Sequence, residues 1–194
     1  MSELLLPLKA NLTLSVMYRE ETLLAEVKKN LEQLYGKIDM ISDSYCFSDI
    51  SPYYNPEMGE KINKIIFSFE KTIEKSALAD VKVKSVEIEN SYSVNGLRQL
   101  NLDPGLITLE NFILATGKNF SHRIYLKNGV YAEVTLMFGK KGLIKELPWT
   151  YRDYLFEPAK SFLLNVRELY RVKRAELLKE SGDKIESDTI PPQT

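Results

Sequence analysis

The chain has 194 residues, of which 44% are hydrophobic and 27% are charged, and its 26 Lys and Arg residues nearly balance its 27 Asp and Glu residues. These values are ordinary for a globular protein, and the length suits one domain. The balanced charge excludes the strong positive field of typical nucleic-acid-binding domains, and no apolar run reaches the roughly 20 residues that a membrane-spanning helix needs. The lone Cys46 excludes an intrachain disulfide framework and indicates a cytoplasmic protein.

Alternating and helical apolar patterns divide the first part of the chain. Apolar residues alternate from Asn11 to Tyr18, which predicts a half-buried strand, and then recur every three or four residues up to Gly36, which predicts a helix. A second strand is predicted over Ile38 to Phe47. After a long loop, Ser48 to Gly59, the apolar run Ile65 to Phe69 is typical of a central strand.

The middle of the chain contains one ambiguous segment, Ala77 to Ser93, where strand-like alternation competes with a helical stripe. The stripe persists for four turns, so we predict a helix. Next come a short strand around Leu100–Leu102, a turn at Asp103-Pro104-Gly105, whose residues are typical turn formers, and an apolar segment from Ile107 to Ala115.

The last part of the chain is predicted to form a hairpin and a long helix. Asn128-Gly129 lies between apolar runs, and this pair is a strong hairpin signal because a type I′ turn needs positive φ at both central residues. Leu155 to Leu178 has the spacing of a long amphipathic helix. We therefore predict one α+β domain over residues 1–179, followed by a disordered tail at 180–194.

The order strand, helix, strand, strand, helix, strand matches a ferredoxin-like split βαβ core. The hairpin and the long C-terminal helix would extend this core. Because one fold supports many functions, this assignment alone predicts no activity.

The hairpin suggests a polar site. A two-residue loop would pair Ile124 with Glu133 and His122 with Thr135, so His122, Glu133 and Thr135 would share one face and Arg123 would lie on the other. A His beside a carboxylate can act as a general acid or base, although such a pair is more often a structural contact. The catalytic residues stay unassigned.

A group of charged residues near the ends of these elements could bind an anion. Arg98, Lys118 and Arg123 could converge on an anionic group, or they could be scattered surface charge. With a single His, a multi-histidine metal site is excluded, and no cofactor is evident. An oxygen-ligated Mg²⁺ site through Asp103, Glu133 or Glu70 is the remaining metal hypothesis.

Several distinctive motifs follow one another along the chain. They are Tyr54-Asn55-Pro56-Glu57-Met58-Gly59, Ser68-Phe69-Glu70, Leu100-Asn101-Leu102-Asp103-Pro104-Gly105, Leu114-Ala115-Thr116-Gly117-Lys118-Asn119, His122-Arg123-Ile124-Tyr125-Leu126, Tyr131-Ala132-Glu133-Val134-Thr135-Leu136 and Trp149-Thr150-Tyr151-Arg152-Asp153-Tyr154. Over roughly residues 10 to 175, the chain resembles a bacterial family catalogued as domain of unknown function 4416. The resemblance implies no activity. Similar proteins are sometimes labelled GTP-binding, but Phe112 and Asn119 occupy positions that a phosphate-binding P-loop reserves for Gly and Ser or Thr, and no Asn-Lys-x-Asp motif is present.

Three functions follow as hypotheses. The first is binding of a small anionic or nucleotide-like ligand by Arg98, Lys118, His122 and Arg123, with Asp103 and Glu133 orienting it or a metal. The second is a non-catalytic interaction module in which the same residues form a structural network. The third is a metal-dependent enzyme of phosphoryl transfer or hydrolysis.

Overall fold

A computed structural model describes residues 4–139 and 143–181, and it divides them among nine strands and four α-helices. In chain order these are β1 (Ala10–Tyr18), α1 (Glu21–Tyr35), β2 (Ile38–Ile41), β3 (Tyr45–Cys46), α2 (Asn55–Met58), β4 (Asn63–Ile73), α3 (Leu78–Ser91), β5 (Leu100–Ile107), β6 (Asn111–Thr116), β7 (Ile124–Lys127), β8 (Val130–Phe138), β9 (Ile144–Glu146) and α4 (Glu157–Ser181). Of the predicted tail, residues 182–194 lie outside the described residues.

All nine strands form one antiparallel sheet in the order β2-β4-β1-β5-β6-β8-β7, with β3 paired to β4 and β9 paired to β8. Helix α1 connects β1 to β2, and α3 connects β4 to β5. The predicted α+β class, the hairpin and the long C-terminal helix are confirmed. The ferredoxin-like description of the core stays a prediction.

Helices cover both faces of the sheet. Apolar residues of α1 and α3 pack with one face of β1, β4 and β5. On the other face, α4 packs Phe162, Leu163 and Val166 against residues of β4, β6 and β8. The sheet is therefore the middle layer of three, with a separate apolar cluster on each side.

Strand β1 is buried along its whole length, so the prediction of a half-buried strand was wrong. Its alternation is real, because Leu12, Leu14 and Val16 face α1 and α3. The intervening polar residues face α4 and its preceding turn instead, where Asn11 accepts a hydrogen bond from Lys173 and Ser15 is bonded to Tyr154. Polar residues can occupy a buried face when each finds a partner.

The ambiguous segment is helical, as predicted, but two neighbouring predictions were wrong. Ile38 to Phe47 is not one strand, because it contains the separate strands β2 and β3 and ends in a 3₁₀ turn that begins at Phe47. Asp103-Pro104-Gly105 is not a turn but lies within β5, paired with residues of β1. Gly105 is needed there for space, since a Cβ atom would lie 2.5 Å from Cε2 of Phe112.

The hairpin turn forms at Asn128-Gly129, where φ is 53° and 77°, as the type I′ prediction requires. Lys127 pairs with Val130, but the register then shifts, so that Tyr125 pairs with Tyr131 and Ile124 with Ala132. A bulge accounts for the shift because it places an extra residue on one strand. The predicted register beyond the turn was therefore wrong by one residue.

Candidate functional site: a cleft where the sheet opens

The sheet opens between β5 and β6. Their pairing covers only Gly105 to Ile107 of β5, and the described residues show no strand partner on this side for Leu100 to Pro104. Along an antiparallel strand, the backbone N–H and C=O groups point alternately toward the two neighbouring strands. Pro104 has no N–H group that could donate a hydrogen bond. Proline thus coincides with the point where the two strands separate.

A cleft of about 1000 Å³ occupies this opening. Its walls come from the loop and helix at 47–57, from α3, from the exposed side of β5, from the segment 114–118 and from the segment 151–154. We call it the β5–β6 cleft. Its size lies at the upper end of the range typical of small-molecule sites.

Side chains of α3 replace the missing strand beside β5. The backbone N–H of Leu102 donates to Glu89 at 2.7 Å, and the Leu102 carbonyl accepts from the Lys82 ammonium at 2.7 Å. Both side chains are buried. Burial raises the pKa of Glu89, although Lys82 and the Leu102 hydrogen bond oppose this shift. Glu89 and Lys82 therefore provide hydrogen-bond partners for the N–H and C=O groups of Leu102, which have no neighbouring strand on this side.

Asp103 faces the cleft from β5 with its side chain 26% exposed. Its Oδ1 accepts from Lys82 at 3.1 Å and its Oδ2 accepts from Asn101 at 2.6 Å. Burial alone would raise the pKa of Asp103, but the Lys82 charge, with help from Lys64 and the Asn101 hydrogen bond, outweighs burial and lowers it. Asp103 is therefore an anion at neutral pH.

Arg98 lies beside Asn101 and is already paired with acids. Its Nη1 donates to the Asn101 amide oxygen, its Nε lies 3.2 Å from Glu57, and its Nη1 lies 3.8 Å from Glu89. The guanidinium therefore ties α2, α3 and β5 together at one end of the cleft.

Glu133 on β8 is the centre of a second cluster and is 1% exposed. Its Oε2 accepts from Arg123 Nε at 2.7 Å and lies 2.9 Å from His122 Nε2. The expected separation of His122 and Arg123 on opposite faces was wrong, because both precede β7 in a turn and both reach the same carboxylate. Oε1 of Glu133 is buried and has no hydrogen-bond partner within the described ranges.

His122 and Arg123, the two partners of Glu133, each have further contacts that fix their positions. The His122 ring stacks on Trp149 with centroids 4.7 Å apart, and it does not line the cleft. Arg123 does, and its two terminal nitrogens donate to the Lys118 carbonyl at 2.9 Å and to Tyr151 Oη at 2.7 Å. All three guanidinium nitrogens of Arg123 are thus engaged.

Two cations of the cleft have no carboxylate partner among the residues described. Lys118 donates to Tyr53 Oη at 2.7 Å, and its ammonium lies 4.8 Å from the centre of that ring. This hydrogen bond and the lysine charge lower the pKa of the Tyr53 phenol. Arg152 is exposed at the cleft wall and forms no ion pair with any described residue. These are the cations most available to an anion.

The floor of the cleft contains a buried ion pair. Lys64 of β4 donates to Asp153 at 2.5 Å, and the two side chains are 3% and 6% exposed. The same carboxylate oxygen accepts a 3.4 Å hydrogen bond from Tyr45, and the ammonium lies 4.1 Å from the centre of the Tyr154 ring. Burial would lower the pKa of Lys64, but Asp153 reverses this effect and raises it.

Five of the six residues expected to bind a ligand line the β5–β6 cleft, namely Arg98, Asp103, Lys118, Arg123 and Glu133. His122 lies behind Glu133. Sequence reasoning assigned no role to the other charged residues of the walls and floor, which are Glu57, Lys64, Lys82, Glu89, Arg152 and Asp153. The only signals for three of them were two of the motifs noted above: Tyr54–Gly59 contains Glu57, and Trp149–Tyr154 contains Arg152 and Asp153.

The described residues contain no cluster of ligands that would support the hypothesis of a Mg²⁺ site. Glu70 lies on β4 and does not line the cleft. Within residues 4–139 and 143–181, no group of three or more His, Cys, Asp or Glu side chains could hold a metal ion.

The same ranges contain no helix that is long and apolar enough to cross a membrane.

Comparison with protein families gives one match. The family model described as "Domain of unknown function (DUF4416)" matches residues 8–170, which cover the sheet, the cleft and most of α4. The chain belongs to this family. The family has no assigned activity, and neither a curated protein nor a solved structure matches the chain.

Proposed function

We propose that this protein binds a small anionic, nucleotide-like molecule in the β5–β6 cleft, in the cytoplasm, with Lys118 and Arg152 as contacts for the anion. One observation carries the proposal. A single cleft of about 1000 Å³ gathers most of the charged residues expected to bind a ligand, and two of its cations lack a carboxylate partner among the described residues.

The charges of the cleft support an anion. Six Lys or Arg residues and five Asp or Glu residues line it, which leaves a formal charge of +1. Four of the six cations, Lys64, Lys82, Arg98 and Arg123, are paired with carboxylates, so the excess positive charge belongs to Lys118 and Arg152. A cation that is not already neutralised is attracted to a phosphate more strongly than one that is.

The other expected ligand residues then have positioning roles. Arg123 fixes the backbone of Lys118 and the side chain of Tyr151, and Glu133 and His122 hold Arg123 in turn. Arg98 holds one end of the cleft together. A network of this kind keeps binding residues in place before a ligand arrives, which reduces the entropic cost of binding.

The proposal can be tested by thermal unfolding with pyrophosphate, AMP and ribose 5-phosphate, each with and without Mg²⁺. A ligand at a hundred times its dissociation constant stabilises a protein by about 2.7 kcal/mol, and so should raise Tm by roughly 5–10 °C. Lys118→Ala and Arg152→Ala should each weaken binding by roughly tenfold or more, because each removes a charged hydrogen bond. Lys118→Ala keeps the backbone carbonyl that accepts a hydrogen bond from Arg123.

Lys84→Ala is the matched control, since Lys84 pairs with Glu87 on the exposed side of α3 and does not line the cleft. It should leave binding unchanged. No shift with any of the three compounds, or a shift of equal size in Lys118→Ala and Arg152→Ala, would contradict the proposal.

A further inference from the structure

The charge of the β5–β6 cleft is distributed unevenly between its two ends. The end formed by α2, α3 and β5 has three carboxylates and two cations, a formal charge of −1, from Glu57, Glu89, Asp103, Lys82 and Arg98. Apart from the ion pair of Lys64 with Asp153 at the floor, which adds no net charge, the end formed by the segments after β6 and before α4, with β8, has three cations and one carboxylate, a formal charge of +2, from Lys118, Arg123, Arg152 and Glu133. A ligand that fits both ends has an anion at one end and a hydrogen-bond donor at the other.

An aromatic wall connects the two ends. Lys118 contacts Tyr53, and the Tyr53 ring meets the Tyr54 ring edge to face with centroids 4.9 Å apart. Tyr54 lies close enough to Asp103 for the carboxylate, after burial, to help raise the pKa of its phenol. The wall therefore runs from Lys118 to the carboxylate of β5, and because its two rings are perpendicular, a planar ring can stack on one of them.

Asp103 is the acceptor best placed to interact with such a donor. It is the carboxylate of this end that combines partial exposure with a fixed position, since Lys82 and Asn101 each bind one of its oxygens. An ionised carboxylate offers about four acceptor sites and no donor. Two acceptor sites thus remain, and they would attract an amino group and repel a carbonyl oxygen.

On this basis, which rests on the function proposed above, we infer that the ligand is a nucleotide whose base carries an exocyclic amine. The phosphate lies at Lys118 and Arg152, the base stacks along Tyr54, and the amine donates to Asp103. In the same pose, a nucleotide with a carbonyl at that position would place two acceptors, the carbonyl oxygen and the Asp103 carboxylate, against each other.

The experiment compares AMP with IMP, and CMP with UMP, by calorimetric titration of the full chain. Each pair differs by an amine in place of a carbonyl and by a proton on the adjacent ring nitrogen, which is an acceptor in AMP and CMP and a donor in IMP and UMP. Because a hydrogen bond to a charged group is worth roughly 1.5–3 kcal/mol, at least one amino compound should bind roughly tenfold or more tightly than its partner. The dimethylated form of whichever amino compound binds more tightly, N6,N6-dimethyl-AMP or N4,N4-dimethyl-CMP, has no donor on that amine and should lose the same factor with the wild-type protein.

Asp103→Asn should remove most of this preference, because an amide both donates and accepts. Asp80→Asn is the matched control, since Asp80 pairs with Lys127 on the surface and does not line the cleft. It should keep the preference. The dimethyl compound tests the inference in the wild-type protein even where Asp103→Asn fails to fold.

Two failures can be told apart. Binding of pyrophosphate that depends on Lys118, together with equal affinities for the amino and carbonyl nucleotides, would overturn the inference about the base and leave the anion site standing. Absence of binding by all of these compounds would overturn both proposals.

Discussion

The buried ion pair at the floor of the cleft gives the largest effect on stability that we expect from one substitution. Asp153→Ala leaves the Lys64 ammonium, which is 3% exposed, without the carboxylate that lies 2.5 Å away. Removing one partner of a buried pair costs roughly 3–5 kcal/mol. Asp103 remains nearby as a weaker source of negative charge, so we expect the lower part of this range. Domains are stable by roughly 5–15 kcal/mol, and the loss would be a large fraction of that.

The sign of the pH dependence follows from Lys64. In the wild-type protein its pKa is raised, so the pair contributes fully below the unfolded value near 10.4 and is lost as pH rises through the folded value. In Asp153→Ala only burial and weaker charges act, so the pKa of Lys64 should fall below its unfolded value. The variant should then regain stability, relative to the wild type, as the pH rises from 7 to 9.5 and the ammonium loses its proton.

Urea unfolding at pH 7 and pH 9.5 measures both effects. The double substitution Lys64→Met with Asp153→Leu removes both charges, and we expect it to be close to neutral or stabilising because no charge stays buried. A loss below about 1 kcal/mol in Asp153→Ala at pH 7, or a loss that does not shrink at pH 9.5, would refute the reasoning about an uncompensated ammonium.

Three further outcomes concern the elements around the cleft. Gly105→Ala should cost about 1–3 kcal/mol in urea unfolding, because its Cβ would meet Phe112 at 2.5 Å; a cost near zero would mean that the ring moves freely. Gly129→Ala should cost about 1–2 kcal/mol because φ is 77°, although space is open there; an unchanged stability would contradict a type I′ turn. The lowered pKa of Asp103 contributes stability above its unfolded value near 3.9, which is lost as pH falls through the folded value. Asp103→Asn should therefore lose less unfolding free energy than the wild type as the pH is lowered. If the unfolding free energies of the two proteins fell equally with pH, the pair of Asp103 with Lys82 would not contribute to stability.

The sequence predicted those elements whose signal is local. Asn128-Gly129 fixed the turn of the hairpin because positive φ at both residues needs these two residue types. It did not fix the register, because the bulge next to Lys127 has no signature of its own in the sequence. Nor did it show that β7 begins only at Ile124, so that His122 and Arg123 lie in the preceding turn and Arg123, which was expected on the opposite face, binds Glu133 together with His122.

Other features depend on contacts between distant segments. Asp103-Pro104-Gly105 has the composition of a turn, yet it lies in a strand because Pro104 is at the edge of the sheet opening and Gly105 leaves room for Phe112. Likewise, the pair of Lys64 with Asp153 joins residues 89 positions apart. A lysine in an apolar run gives no sign of its partner, so only the fold could reveal the floor of the cleft.

Structural and binding roles overlap in the cleft, and stability measurements can separate them. Lys82 satisfies the carbonyl of Leu102 and the carboxylate of Asp103, so Lys82→Ala should lose about 1–3 kcal/mol by leaving buried acceptors without a donor. Lys118 and Arg152 satisfy no buried group of the described chain, and their alanine variants should unfold within about 0.5 kcal/mol of the wild type. If Lys118→Ala destabilised the protein as much as Lys82→Ala, Lys118 would be a structural residue, and the anion site would lose the cation on which it depends.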